Sequence, residues 1–144
     1  MISKATSDLF DANVWLALCH PVHPHHAAIM TAKAAIGPGG LCRVTQMTVL
    51  RLLTNRVVMG PEVLSPLNAW IILQRLRDEN ESPFFEEPAG LEETWRNLSK
   101  NHPEISGNAW TDAYLASFAI CAGLQFVTFD RGFRRFAGLN CRVL

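Results

Sequence analysis

Apolar positions along the chain fall into two kinds of segment: short runs suited to buried strands, and longer stretches with helical spacing. Leu9-Phe10 with its flanks reads as a first strand ending near Asp11, and Val14 to Cys19 reads as a helix. His23-Pro24-His25-His26 is a break and helix start, followed by helix formers from Ala27 to Ile36. Gly37-Pro38-Gly39-Gly40 stops that helix in a loop, and Leu41 to Val44 follows as a second strand. Thr45 is placed to cap the next helix, where Met47, Leu50, Leu53 and Thr54 recur at helical spacing, before a loop from Asn55 to Pro61. Ser65-Pro66, a capping serine with proline at the first position, opens a helix to about Asn80 that carries Trp70, Leu73, Leu76 and Arg77 on one side. Pro83-Phe84-Phe85 suits an edge strand, and Leu91 to Lys100 a helix with Leu91, Thr94, Trp95 and Leu98 on one face. Asn108 or Thr111 caps a helix to about Ala122, ended by Gly123. Leu124 to Phe129 is the clearest strand; a short helix, Arg131 to Phe136, and a strand, Cys141 to Leu144, follow. Strands alternating with helices predict an α/β fold with a parallel sheet covered on both faces. No repeat or linker divides residues 1–144, so one domain is expected.

Composition narrows the class. Of 144 residues 49% are apolar, enough for a sizeable core, and 13 basic residues balance 13 acidic ones. That neutral total lacks the basic excess of strong non-specific nucleic-acid binders, although Arg131, Arg134 and Arg135 cluster near Asp130, and Arg43, Arg51 and Arg56 in the middle of the chain. No run reaches the roughly 18–20 apolar residues of a membrane span, and the first ten residues, with Lys4 and Asp8, lack an apolar signal core. Cys19, Cys42, Cys121 and Cys141 form no Cys-x-x-Cys pair and read as mostly buried thiols. A cytoplasmic protein is expected.

The candidate chemistry lies in three aspartates. Asp11 and Asp130 each follow a short apolar strand, and ligands of open parallel sheets bind beyond the carboxyl ends of the strands. Asp112 stands in the first turn or so of the helix that returns, through one glycine, to the strand ending at Asp130. Each alone reads as a turn former or helix cap. Together they form an all-oxygen set whose mutual repulsion calls for a hard cation, Mg²⁺ or Mn²⁺. Such a cation activates water for in-line attack on a phosphodiester. Thr128, two residues before Asp130 on the same strand face, and Asn13, beside Asp11, are placed to orient a carboxylate or a water.

The blocks Leu9-Phe10-Asp11-Ala12-Asn13-Val14-Trp15-Leu16-Ala17, His23-Pro24-His25-His26-Ala27-Ala28, Val44-Thr45-Gln46, Leu50-Arg51-Leu52-Leu53-Thr54-Asn55, Thr111-Asp112-Ala113-Tyr114-Leu115-Ala116 and Val127-Thr128-Phe129-Asp130-Arg131-Gly132-Phe133 resemble a VapC-type PIN-domain ribonuclease toxin of a type II toxin–antitoxin system. The resemblance spans about residues 8 to 136. It implies a PIN-like three-layer α/β/α sandwich with a central parallel sheet, and Mg²⁺-dependent endoribonuclease activity on structured RNA such as tRNA or a ribosomal RNA loop. It also implies a cognate VapB-like antitoxin and a homodimer in a bacterial cytoplasm. The family's acids map to Asp11, Asp112 and Asp130 as metal ligands and catalytic residues. Many PIN domains add a glutamate on the helix after the second strand; here Thr45-Gln46-Met47-Thr48-Val49-Leu50-Arg51 has no carboxylate, which implies three acids and a weakly held single Mg²⁺. Arg51 is then expected to contact a carboxylate or the scissile phosphate, or else to be a surface arginine.

Other features carry weaker expectations. Cys19, His20, His23, His25 and His26 form a nitrogen and sulfur tract without finger spacing, so a loop and helix start is favoured over zinc, with His26 near an RNA groove. Trp70 and Trp95 are assigned to core or interface rather than to base stacking. Met47, Leu50, Trp70 and Leu73 are placed in the antitoxin cleft. Arg131, Arg134 and Arg135 are either a solvated face or phosphate contacts. The rival readings are a non-catalytic PIN scaffold that binds RNA or a partner protein, and a phosphotransferase using Asp11. The second rival is weakened by Asn13, which stands where an acid/base carboxylate is wanted.

Overall fold

The structure, a computed structural model, describes residues 7–36, 38–102 and 106–144; Lys4 and Gly37 lie outside them. Four strands, β1 (Asp8–Phe10), β2 (Gly39–Gly40), β3 (Gln125–Thr128) and β4 (Cys141–Val143), form one sheet in the order β2-β1-β3-β4. Every pairing is parallel, with Leu9 opposite Gly40 and Phe126, and Val127 opposite Arg142. The helices are α1 (Ala12–Cys19), α2 (His26–Ala32), α3 (Arg43–Leu53), α4 (Arg56–Met59), α5 (Pro66–Glu79), α6 (Leu91–Ser99) and α7 (Gly107–Ala122).

Strand alternation divides the core into two layers. Phe10 and Val127 face one side and pack with Trp15, Leu41, Val49 and Leu73. Their neighbours Leu9 and Phe126 face the other and pack with Leu91, Phe118 and Phe133. Helices therefore cover both faces of the sheet, giving the expected three-layer α/β/α sandwich.

Several local readings change. The second strand is Gly39–Gly40, ahead of the expected Leu41–Val44, because a Cβ at Gly39 would enter the Phe10 ring and one at Gly40 the Phe85 ring. Leu41 instead bridges Phe84 in parallel: its N–H donates to the Pro83 carbonyl (3.1 Å), and its carbonyl accepts from Phe85 N–H (2.9 Å). The predicted edge segment thus pairs. α3 is capped at Cys42 rather than Thr45; Thr45 is its third residue, and its hydroxyl accepts from Cys42 N–H at 2.9 Å. Asn55, expected in a loop, caps α4 by accepting from Val57 and Val58 N–H. Helix α2 ends at Ala32, short of Ile36. Ser106, rather than Asn108 or Thr111, precedes α7, which Gly123 ends in the left-handed conformation (φ 67°). Asp112 consequently lies in the second turn of α7. Leu73, placed in a surface cleft from sequence, is 1% exposed, whereas Trp70, on the same helix, is 50% exposed. All four cysteines are free thiols; Cys42 is buried and the other three are partly exposed. No helix among the described residues is long and apolar enough to cross a membrane.

Candidate functional site

All four strands end at one edge; Asp11 and Asp130 lie just beyond it, after β1 and β3, and Asp112 comes from the second turn of α7. Asp11 extends β1 by one more ladder bond, its N–H donating to the Val127 carbonyl at 2.9 Å, and then caps α1. Its Oδ1 accepts from Ala12 N–H (2.8 Å) and its Oδ2 from the Thr128 hydroxyl (2.7 Å). Thr128 is fully buried at the end of β3, and its Oγ1 also accepts from Asp130 N–H (3.0 Å) and from Asn13 Nδ2 (3.4 Å). Asn13 Oδ1 in turn accepts from Phe129 N–H at 3.4 Å. Thr128 and Asn13 therefore tie the end of β1 to the end of β3.

Asp130 caps the 3₁₀ turn Arg131–Arg135, with Oδ1 accepting from Gly132 N–H at 2.8 Å. Asp112 is paired with Arg135, whose Nη2 stands 3.6 Å from Oδ2, in the one ion pair among the described residues. Arg135 is itself anchored: Nη1 donates to the Gly132 carbonyl (2.6 Å), and the guanidinium lies 4.3 Å from the centroid of the Phe136 ring.

The carboxylates sense one another. The Asp11 carboxyl is pushed up to about 6 from 3.8, first by burial; the Thr128 and Ala12 bonds oppose this, while the charges of Asp112 and Asp130 add to it. Asp112 is also raised, first by burial, against the pull of Arg135 and with Asp130 pushing further. Both shifts come first from burial, with repulsion from neighbouring acids adding to them. Yet no group of three His, Cys, Asp or Glu side chains among the described residues is drawn together tightly enough to hold a metal ion. The three acids share a sheet edge, each held by a protein partner, without closing on a common point.

The remaining predicted residues divide. Arg51 lies exposed in the last turn of α3, and no ion pair among the described residues joins it to an acid. Arg131 is exposed as the first residue of the 3₁₀ turn. Gln46, in the helix that lacks a glutamate, is buried and accepts from Arg43 Nη1. His26 turns inward, its Nδ1 2.7 Å from the Ala17 carbonyl, whereas the His25 ring stacks on Phe129 at 4.4 Å, one residue from Asp130. Arg135 as the counter-ion of Asp112, and the stack of His25 on Phe129, carry no signal in residue spacing; both arise where distant segments meet.

A strand-end acid set on a four-stranded parallel sheet within an α/β/α sandwich defines a class of protein. The PIN domain family model matches residues 9–139. The chain is 38% identical to Ribonuclease VapC41 of Mycobacterium tuberculosis over 143 residues, covering 94% of this chain and 97% of that protein. It is 31% identical to Ribonuclease VapC38 of the same organism, covering 86% and 85%. Its fold is similar to that in the VapBC2 structure from Rickettsia felis bound to a promoter DNA fragment (TM-score 0.69, 12% identity, covering 96% and 98%). It is also similar to Mycobacterium tuberculosis VapC20, a sarcin–ricin loop cleaving toxin (TM-score 0.66, 16% identity, covering 92% and 97%). The chain belongs to the PIN-domain family, as a VapC-type member.

Proposed function

We propose that this protein is a Mg²⁺-dependent endoribonuclease, the toxin of a type II toxin–antitoxin pair, acting in the cytoplasm on structured RNA such as tRNA or rRNA. The observation that carries this reading is the meeting of Asp11, Asp112 and Asp130, from three separate segments, at the strand-end edge, where burial first and then the charges of the other two raise the carboxyl of Asp11. An all-carboxylate donor set suits a hard divalent cation, Mg²⁺ or Mn²⁺. Bound there, the cation supplies activated water and charge stabilisation at phosphorus. Thr128 fixes the orientation of the Asp11 carboxylate by donating to Oδ2, and Asn13 holds Thr128 and the backbone ahead of Asp130 in register. Arg131, exposed beside Asp130, is placed for an RNA phosphate.

The sequence relatives named as ribonucleases support the chemistry, and the VapBC complexes among the fold neighbours support a VapB-like antitoxin as partner. A homodimer accords with the apolar surface that α3, α4 and α5 leave uncovered, with Met47, Val57, Leu67 and Trp70 all at least half exposed. A second reading, a PIN scaffold that binds RNA or a partner protein without cutting, draws on the lack of a carboxylate in Thr45–Arg51 of α3 and on the engagement of Asp112 by Arg135. RNA cleavage by purified protein with Mg²⁺, compared with the Asp11→Asn variant, separates the two. Activity lost in the variant and on chelation supports the nuclease; equal residual activity in both means that the protein itself does not cut.

A further inference from the structure

A second feature of the strand-end edge is aromatic. α7 leads through Gly123 into the start of β3, so its N-terminus, with Trp110 and Thr111, points to the edge where the strands end. α3 begins at that edge after β2, which brings Val44 there. The segment after the Leu41–Phe84 bridge runs in the same direction and brings Glu87. Val44, Glu87, Trp95, Trp110, Thr111 and Tyr114 line one cleft of about 370 Å³. Thr111 adjoins Asp112, so the cleft neighbours one of the three acids.

Hydrogen bonds and ring contacts frame the cleft. Trp95 Nε1 donates to the Trp110 carbonyl at 3.1 Å, and the two rings meet edge to face at 84° with centroids 6.2 Å apart. Trp95 meets Tyr114 in the same way at 5.3 Å. The Tyr114 hydroxyl donates to Glu87 Oε1 at 2.8 Å, and burial, with the bond and charge of Glu87, raises its pKa so that it remains a donor. The carboxylate is thereby oriented, with Oε2 and the spare lone pairs of Oε1 still available to accept. Trp110, 48% exposed, keeps ring surface open to solvent.

We propose that this cleft receives an unpaired guanine of the RNA substrate, stacked on Trp110 and read by Glu87. The proposal rests on the ribonuclease reading and adds a specificity subsite to it. Unpaired bases in RNA are recognised by stacking on aromatic side chains and by hydrogen bonds to their Watson–Crick edge. Guanine presents two adjacent donors there, N1–H and the N2 amine, which match the acceptors of a carboxylate. Adenine sets an acceptor beside its amine and uracil sets acceptors beside its imino group, so Glu87 disfavours both. Trp110 and Glu87 are thus specificity-determining residues, separate from the acids.

The test is equilibrium binding, by the full chain in EDTA, of a short single-stranded RNA with one central guanine, compared with the same RNA carrying adenine. The guanine RNA is expected to bind more tightly. Trp110→Ala is expected to weaken it on the order of tenfold or more, and Trp110→Phe by less. Glu87→Gln is expected to weaken the guanine RNA and, because its amide sets a donor beside an acceptor, to hold the adenine RNA as tightly as the parent or more tightly, so that the preference for guanine is lost. Unaltered melting temperatures would show that the variants fold; an unfolded Trp110→Ala leaves Trp110→Phe and Glu87→Gln to decide. Equal binding of the two RNAs, or unchanged binding by folded variants, overturns the proposal. So does a variant defect confined to antitoxin binding, which would make the cleft a protein-docking surface. Selective guanine binding without cleavage under Mg²⁺ would instead defeat the nuclease reading and leave the subsite standing.

Discussion

Under the proposed nuclease reading, Asp11 sets stability against function. Its carboxyl is raised from 3.8 to about 6, so the folded state holds its proton more tightly than the unfolded chain does. For a raised acid the associated stability is fully present below about 3.8 and is lost as pH rises through about 6. A shift of about two units corresponds to roughly 3 kcal/mol at neutral pH in the cation-free protein, as an upper figure. Asp11→Asn should therefore raise the melting temperature in EDTA at pH 7.5 by several degrees and much less at pH 4.5. The gain will fall short of the full shift, because Asn offers the Thr128 hydroxyl a poorer acceptor. Thermal melts at the two pH values check this, and a variant less stable than the parent at pH 7.5 would contradict it. Arg135 belongs to the same scale. It lies 3.6 Å from Asp112 and is partly exposed, so Arg135→Ala should remove a competing cation and tighten Mn²⁺ binding by about 2- to 5-fold. Calorimetric titration reads this directly; weaker binding would mean that Arg135 instead holds Asp112 in place for the ion.

At the scale of elements, β2 decides how close the sheet can bring its neighbours. Gly39 and Gly40 are the whole strand, and each faces an aromatic ring, Phe10 or Phe85, where a side chain would stand. Gly39→Ala should cost about 1–3 kcal/mol in denaturant unfolding, since the buried Phe10 ring must give way to the added methyl. A neutral result would show that Phe10 repacks. The pair Gly-Gly reads in sequence as a loop because glycine is a poor strand former, and only the parallel ladder to β1 makes it a strand. A similar override moves the start of α7 to Gly107 and puts Asp112 in its second turn. Asn108 and Thr111 are both good caps, and the local pattern contains no means of choosing against them.

At the scale of the whole molecule, α5 shows what remains for a partner. Ala69 and Leu73 face the core, while Leu67, Trp70 and Ile71 form an outer apolar stripe that no described residue covers. Trp70→Glu should leave the melting temperature within about 1–2 °C of the parent, as expected for an exposed position. Under the toxin reading it should abolish co-purification with the antitoxin or convert a dimer to a monomer. Unchanged mass and unchanged antitoxin retention would assign the stripe no role in assembly. Hydrophobic spacing by itself determined the α/β class, the alternation of strands and helices, and the placing of Asp11 and Asp130 just beyond β1 and β3, because burial periodicity and strand ends are local properties of the chain. Strand alternation also marked Thr128 as a residue to orient a carboxylate; the tertiary structure alone decided that this carboxylate is Asp11, that Arg135 holds Asp112, that Gly39 lies against Phe10 and that Trp110, Tyr114 and Glu87 share a cleft. These partners come from segments far apart in sequence, or from a chain direction that only sheet order sets, and no residue spacing encodes which strand lies beside which.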